Sequence, residues 1–127
     1  MQLSYLIAVV DDDVGMCDAI AELLEVLDFD SARFSSAEAF LEALAERTFD
    51  CLISDIRMPG MDGLELGRRT AALAPGMPVI LVSSMSEEHM RSRASRVGAV
   101  AFLRKPLDAD ELQIQVERAL RGAGARP

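Results

Sequence analysis

No apolar run in this chain approaches the length of a membrane span, so no bilayer-crossing helix is expected. Met1 to Ser4 lack the basic segment that opens a secretory signal, and the cytoplasm is the expected location. Sulfur chemistry is sparse too. Cys17 and Cys51 are the only cysteines, far apart and each set among apolar residues. That spacing excludes a disulfide framework or a cysteine metal site and predicts two buried free thiols. Basic charge is scarce: 13 Lys and Arg face 21 Asp and Glu, for a net charge of −8. A nucleic-acid backbone needs a basic face, so no nucleic-acid contact by this domain is expected. An acidic surface suits cations and basic partner patches better. Lysine is the scarcest cation, for only Lys105 among those 13 is not arginine. Arginine bias by itself follows from base composition. It leaves open why a compact ammonium on a flexible stem persists at this one position. The single histidine, His89, falls in a polar stretch and is expected to face solvent.

What remains is ample for one domain: 127 residues, half of them hydrophobic, enough for a real core and too apolar for disorder. The folded unit is expected over residues 1–121, with 122–127 as a tail or linker, since Gly122 to Pro127 is rich in Gly, Ala, Arg and Pro. Leu6–Val10, Cys51–Ser54, Val79–Val82 and Val100–Leu103 are short continuous apolar runs. Such runs read as strands buried on both faces of a parallel sheet. Ser31–Phe34 is a weaker strand candidate. Between them lie helical stripes: Cys17, Ile20, Leu24 and Leu27; Ala37, Phe40, Leu41 and Leu44; Leu64, Leu66 and Leu73; and Leu112, Val116, Ala119 and Leu120. A fourth, polar helix opens near Ser86 and ends at Gly98. Ser35 with Glu38 reads as a capping box, and Asp108 to Glu111 as another capping pattern. Strands alternating with helices predict an α/β fold, a doubly wound parallel sheet with helices on both faces.

In such sheets ligands bind beyond the carboxyl ends of the strands. Asp11 and Asp12, Asp55, Ser83 and Lys105 each follow an apolar run, so all are expected on that one edge. Three carboxylates there repel one another, and a hard divalent cation such as Mg²⁺ relieves the repulsion. One carboxylate could instead accept a phosphoryl group as nucleophile. Phosphoryl transfer asks chiefly for positioning and charge neutralisation, which Lys105 and the Ser83 hydroxyl can supply. Each piece also has an ordinary reading: solvated loop, turn residue, helix cap, surface turn. Four complementary strand ends in one chain are not expected from those readings.

Val9-Val10-Asp11-Asp12-Asp13, Asp55-Ile56-Arg57-Met58-Pro59-Gly60-Met61-Asp62-Gly63, Val82-Ser83-Ser84 and Phe102-Leu103-Arg104-Lys105-Pro106 occur in this order and spacing. In these residues the chain, from Leu6 to Leu120, resembles the receiver domains of bacterial two-component response regulators. The resemblance implies a flavodoxin-like (βα)5 fold with strand order 2-1-3-4-5. It implies that Asp55 is the phosphorylated aspartate, a 4-aspartylphosphate in the phosphorelay. Mg²⁺ would be held by Asp11, Asp12, Asp55 and the backbone carbonyl of Arg57, with Asp13 outside this shell. Ser83 and Lys105 would contact the phosphoryl group, Phe102 would turn inward as Ser83 moves, and the Lys105–Pro106 bond would be cis. At positions that vary in the family, Arg57 would affect the access of attacking water and Met85 would shield the phosphoryl group, so the resemblance fixes no phosphoryl lifetime. The donor would be a sensor histidine kinase or a histidine phosphotransfer protein. The face of the fourth helix, fifth strand and fifth helix would then change, and could pair two copies as a homodimer. Output would pass through a protein partner or a separate effector domain. On this reading the chain is a signalling switch and no enzyme, beyond catalysing its own phosphorylation and dephosphorylation.

Two other readings compete. A Mg²⁺-dependent phosphohydrolase of the haloacid dehalogenase type places its nucleophile in an Asp-x-Asp pattern, which Asp11 and Asp13 fit. That pattern expects Thr or Val where this chain has Gly15, and it leaves Asp55 to Gly63 without a role. A receiver-like module that is never phosphorylated would not need the intact acidic set.

Overall fold

The computed structural model describes residues 5–84 and 88–122. Its elements alternate in chain order: β1 (Leu6–Val10), α1 (Val14–Val26), β2 (Asp30–Phe34), α2 (Ala37–Leu44), β3 (Cys51–Asp55), α3 (Gly63–Leu73), β4 (Val79–Ser83), α4 (Glu88–Arg96), β5 (Ala101–Arg104) and α5 (Ala109–Gly122). The strands form one five-stranded sheet in the order β2-β1-β3-β4-β5, and every pairing is parallel. Both the fold class and the strand order agree with expectation.

The apolar runs explain who sits in the middle. β3 and β4 are buried along their whole length, and β1 is buried from Ile7 to Val10. β2, the weak candidate, is an edge strand and exposes Asp30 and Arg33. Alternation along each strand splits the core into two layers. Ile7, Val9, Cys51, Ile53, Ile80, Val82 and Leu103 face α1 and α5, meeting Cys17, Ile20, Leu24, Leu112, Val116 and Leu120. Ala8, Val10, Leu52, Val79, Leu81 and Phe102 face the other side, against Phe40, Leu64, Leu66, Met90 and Ala94. Both thiols are free and buried. Burial pushes the Cys51 thiol up to about 12, which keeps it protonated and inert at neutral pH.

Local details depart from the sequence reading in four places. Ser36, not Ser35, caps α2, its hydroxyl accepting from Ala39 N at 3.1 Å. Glu38 therefore falls outside a capping box and accepts instead from Met61 N, 3.2 Å away in the loop after β3. Leu73 is 64% exposed, because the buried face of α3 runs through Gly63, Leu66, Gly67 and Thr70 and ends before the last turn. β5 begins one residue later than expected, leaving Val100 exposed. α5 continues through Gly122, the first residue of the tail expected over 122–127, and residues 123–127 lie outside the described residues, as do Met1 to Ser4, Met85, Ser86 and the side chain of His89. Among the described residues no helix is long and apolar enough to cross a membrane.

Candidate functional site

β1 and β3 are neighbours at the centre of the sheet, and the chain leaves them toward helices on different faces. A crevice opens at that switch point, beyond the carboxyl ends of the strands. The sequence places acid on both sides of it. Asp55 is the last residue of β3 and Asp11 the first after β1. Asp11 is 1% exposed and Asp55 8%, while Asp12 projects into solvent. Oxygens of Asp11, Asp12 and Asp55 all lie within 4.8 Å of one another. Asp13, the next residue, points away and caps α1, its carboxylate accepting from Met16 N at 3.2 Å. This leaves Asp13 unavailable as the second aspartate of a dehalogenase pair.

One cation answers this acid from within the described residues. Lys105, just past β5, brings Nζ to 3.1 Å from Asp11 Oδ2 and 3.3 Å from Asp55 Oδ1. Burial works against its charge, but the bond to Asp11 and the charge of Asp55 prevail, and the Lys105 pKa is raised. Asp55 moves the other way from a normal ion pair. Burial, then the charge of Asp11, push its carboxyl up, and Lys105 only partly offsets them. A single ammonium is therefore insufficient for two buried carboxylates and a third beside them. The donor set is all hard oxygen, which fits Mg²⁺ rather than a soft metal.

Backbone bonds lock the strand ends together. Ile56 N donates to Val82 O at 2.9 Å and Lys105 N to Ser83 O at 2.9 Å, tying β3, β4 and β5 at the edge where the side chains meet. Ser83 ends β4 and is 1% exposed. Phe102 lies on the same face, in register with Leu81, and its ring is turned inward with 8% exposure. The Lys105–Pro106 bond is cis, as expected. Arg57 and Ser84 are exposed at the rim. The Arg57 carbonyl belongs to the loop that leaves β3, two residues past Asp55. That loop is held at both ends: Gly63 N donates to Ile56 O at 2.8 Å, and Met61 N to Glu38.

Two contacts had no sequence signal. Glu38 reaches the loop across 23 positions. Arg91 of α4 stacks its guanidinium on Phe102, 4.9 Å from the ring centroid. A cavity of about 620 Å³ lies elsewhere, at the amino ends of β4 and β5 beside Pro78, Val79 and Val100. It carries no carboxylate, and the convergent charges rather than the cavity mark the site.

Residues 7–117 match the family model described as the response regulator receiver domain. The chain is 39% identical over 117 residues to the transcriptional regulatory protein FixJ of Bradyrhizobium diazoefficiens, covering 92% of this chain and 57% of that one. It is 41% identical over 110 residues to the C4-dicarboxylate transport transcriptional regulatory protein DctD of Rhizobium meliloti, covering 87% and 24%. The chain thus spans about half of one relative and a quarter of the other. Among solved structures, the amino-terminal part of FixJ superposes with a TM-score of 0.86 at 31% identity, covering 94% of this chain and 96% of that one. A CheY-like receiver domain from Methanospirillum hungatei superposes with a TM-score of 0.90 at 25% identity, covering 97% and 98%.

Proposed function

This chain belongs to the response regulator receiver domain family of two-component signalling, and on that premise we propose that Asp55 is its phosphoacceptor. The observation that carries this reading is Asp55 itself. It is a carboxylate at a strand end, nearly buried, beside a second buried carboxylate and one ammonium. A carboxylate oxygen of Asp55 attacks the phosphorus of a donor phosphohistidine or acyl phosphate. One O–P bond forms as the donor's bond to phosphorus breaks, and hydrolysis later returns inorganic phosphate. Asp11, Asp12, Asp55 and the Arg57 carbonyl would hold Mg²⁺, which would neutralise charge on the phosphoryl oxygens. Lys105 stands against Asp55 to pair with the incoming oxygens, and Ser83 donates its hydroxyl to one of them. The donor is a sensor histidine kinase or a histidine phosphotransfer protein. Ser83 and Phe102 form the element whose two arrangements report on the phosphate. The response reaches the face of α4, β5 and α5, which can pair two copies. By similarity to FixJ and DctD, that face acts on transcription, through a further domain or a partner protein. The labelling experiment on Asp55, argued in the Discussion, tests the acceptor assignment.

Lys105 offers an independent check. Its ammonium serves two carboxylates from a side chain that is 18% exposed, with little room for a planar guanidinium. Lys105→Arg keeps the charge but not the point geometry. Uptake of label from acetyl phosphate should fall roughly tenfold, the cost of one weakened charge-assisted hydrogen bond. Unchanged uptake would show that any cation suffices and that the lone lysine is incidental.

Chelating Mg²⁺ should abolish labelling, and Mg²⁺ measured by calorimetry should bind one site per chain. Because the Asp55 carboxyl titrates above its ordinary range, a proton competes with the metal sooner than at a free aspartate. Affinity should therefore weaken as the pH is lowered. Labelling that persists in excess chelator would refute the metal assignment.

A further inference from the structure

We propose that Arg91 is a positioning residue for Phe102, holding the ring in its inward setting through a cation–π contact. The inference rests on reading Asp55 as phosphoacceptor and Phe102 as the responding ring. Phe102 is packed from within by the layer that contains Leu81, Met90 and Ala94. Met90 and Ala94 are four residues apart on α4, so both point at β5. Arg91 follows Met90, remains exposed, and lays its guanidinium 4.9 Å from the ring centroid. The ring is thus wedged by apolar side chains and overlaid by a cation. A phenylalanine has no hydroxyl with which to hold an orientation, so the polar attraction open to it is that of its π face for a cation.

Position makes the contact informative. Phe102 pairs in register with Leu81, and Ser83 lies two residues further along β4 on the same face. A ring moving outward leaves Arg91, and a ring held inward keeps α4 fastened to β5. An exposed cation–π contact favours the inward ring about two- to fivefold. Phosphoryl binding and the inward ring favour each other by linkage. Arg91 then raises the competence of Asp55 by a similar factor without touching it.

The test compares the parent with Arg91→Gln and Arg91→Lys, each with and without Phe102→Leu. Phe102 ring signals are followed by NMR on protein carrying ¹³C-labelled phenylalanine, and Asp55 labelling by acetyl phosphate is followed by intact mass. Arg91→Gln should shift the ring signals before any phosphoryl donor is added and slow labelling about two- to fivefold. Arg91→Lys, which keeps a cation, should restore most of both. In the Phe102→Leu background, Arg91→Gln should slow labelling no further. Equal losses in Gln and Lys variants, unmoved ring signals, or a full Arg91→Gln effect without the ring would each overturn the proposal. A parent that takes no label at Asp55 would refute the phosphoacceptor reading instead, and the ring signals would still decide the role of Arg91.

Discussion

Asp55→Asn should leave the protein folded and unable to take up a phosphoryl group. Asparagine nearly matches aspartate in shape, and it relieves a destabilising arrangement. Burial and the charge of Asp11 already disfavour the ionised Asp55, so removing the charge costs no more than the ion pair with Lys105. The free energy of unfolding should change little or rise, by about 1 kcal/mol at most. Reactivity is a different matter. An amide oxygen is no nucleophile toward phosphorus at neutral pH, and label from acetyl phosphate with Mg²⁺ should fall roughly a thousandfold or more. In the parent, the added mass should correspond to one phosphoryl group, stable in acid and lost in base. Asp11→Asn separates the competing chemistries. Asp11 faces Lys105 and the cluster from 3.1 Å, so its loss should weaken metal binding and slow labelling without moving the label. If Asp55→Asn were labelled like the parent and Asp11→Asn not at all, Asp11 would be the nucleophile and the phosphohydrolase reading would prevail.

The sheet was legible in the sequence because its central strands bury both faces. Nothing but a continuous apolar run suits such a position, and β1, β3 and β4 are such runs. β2 was faint because an edge strand mixes exposed and half-buried residues. The site was legible for a related reason. Parallel strands send their carboxyl ends to one edge, so the residue after each apolar run is placed by topology alone. Asp11, Asp55, Ser83 and Lys105 needed no further information to fall on one edge of the sheet. Glu38 and Arg91 did need it. Both lie on helices, where a side chain's partner depends on how the helix sits on the sheet. The Ser35–Glu38 spacing even pointed to the wrong partner: one residue of register moved the cap to Ser36 and freed Glu38 for Met61. Spacing fixes which face of a helix a residue occupies, not what waits opposite it.

Gly63→Ala should be the most disruptive single-methyl change near the site. A Cβ at Gly63 would stand 2.2 Å from the Asp55 carbonyl oxygen and 2.8 Å from Ile56 Cα. Both are backbone atoms, so no side-chain rotation can make room. Alanine opposes this with its helix propensity, worth up to about 1 kcal/mol over glycine, since Gly63 opens α3. The clash wins, because overpacking against backbone costs about 3 kcal/mol. In the variant, the bond from Gly63 N to Ile56 O, 2.8 Å long here, would have to shift as well. The melting temperature should fall by about 10 °C. Gly122→Ala, with nothing within 4 Å of its Cβ, should match the parent or exceed it slightly. The same displacement reaches the chemistry. Asp55 cannot yield at its carbonyl without tilting the carboxylate away from Lys105 and Asp11. Below its melting range, Gly63→Ala should therefore take label from acetyl phosphate more slowly than Gly122→Ala. Parental stability and labelling in Gly63→Ala would mean that the loop after β3 yields freely. In that case the close packing of α3 under Asp55 would not be what aims the carboxylate.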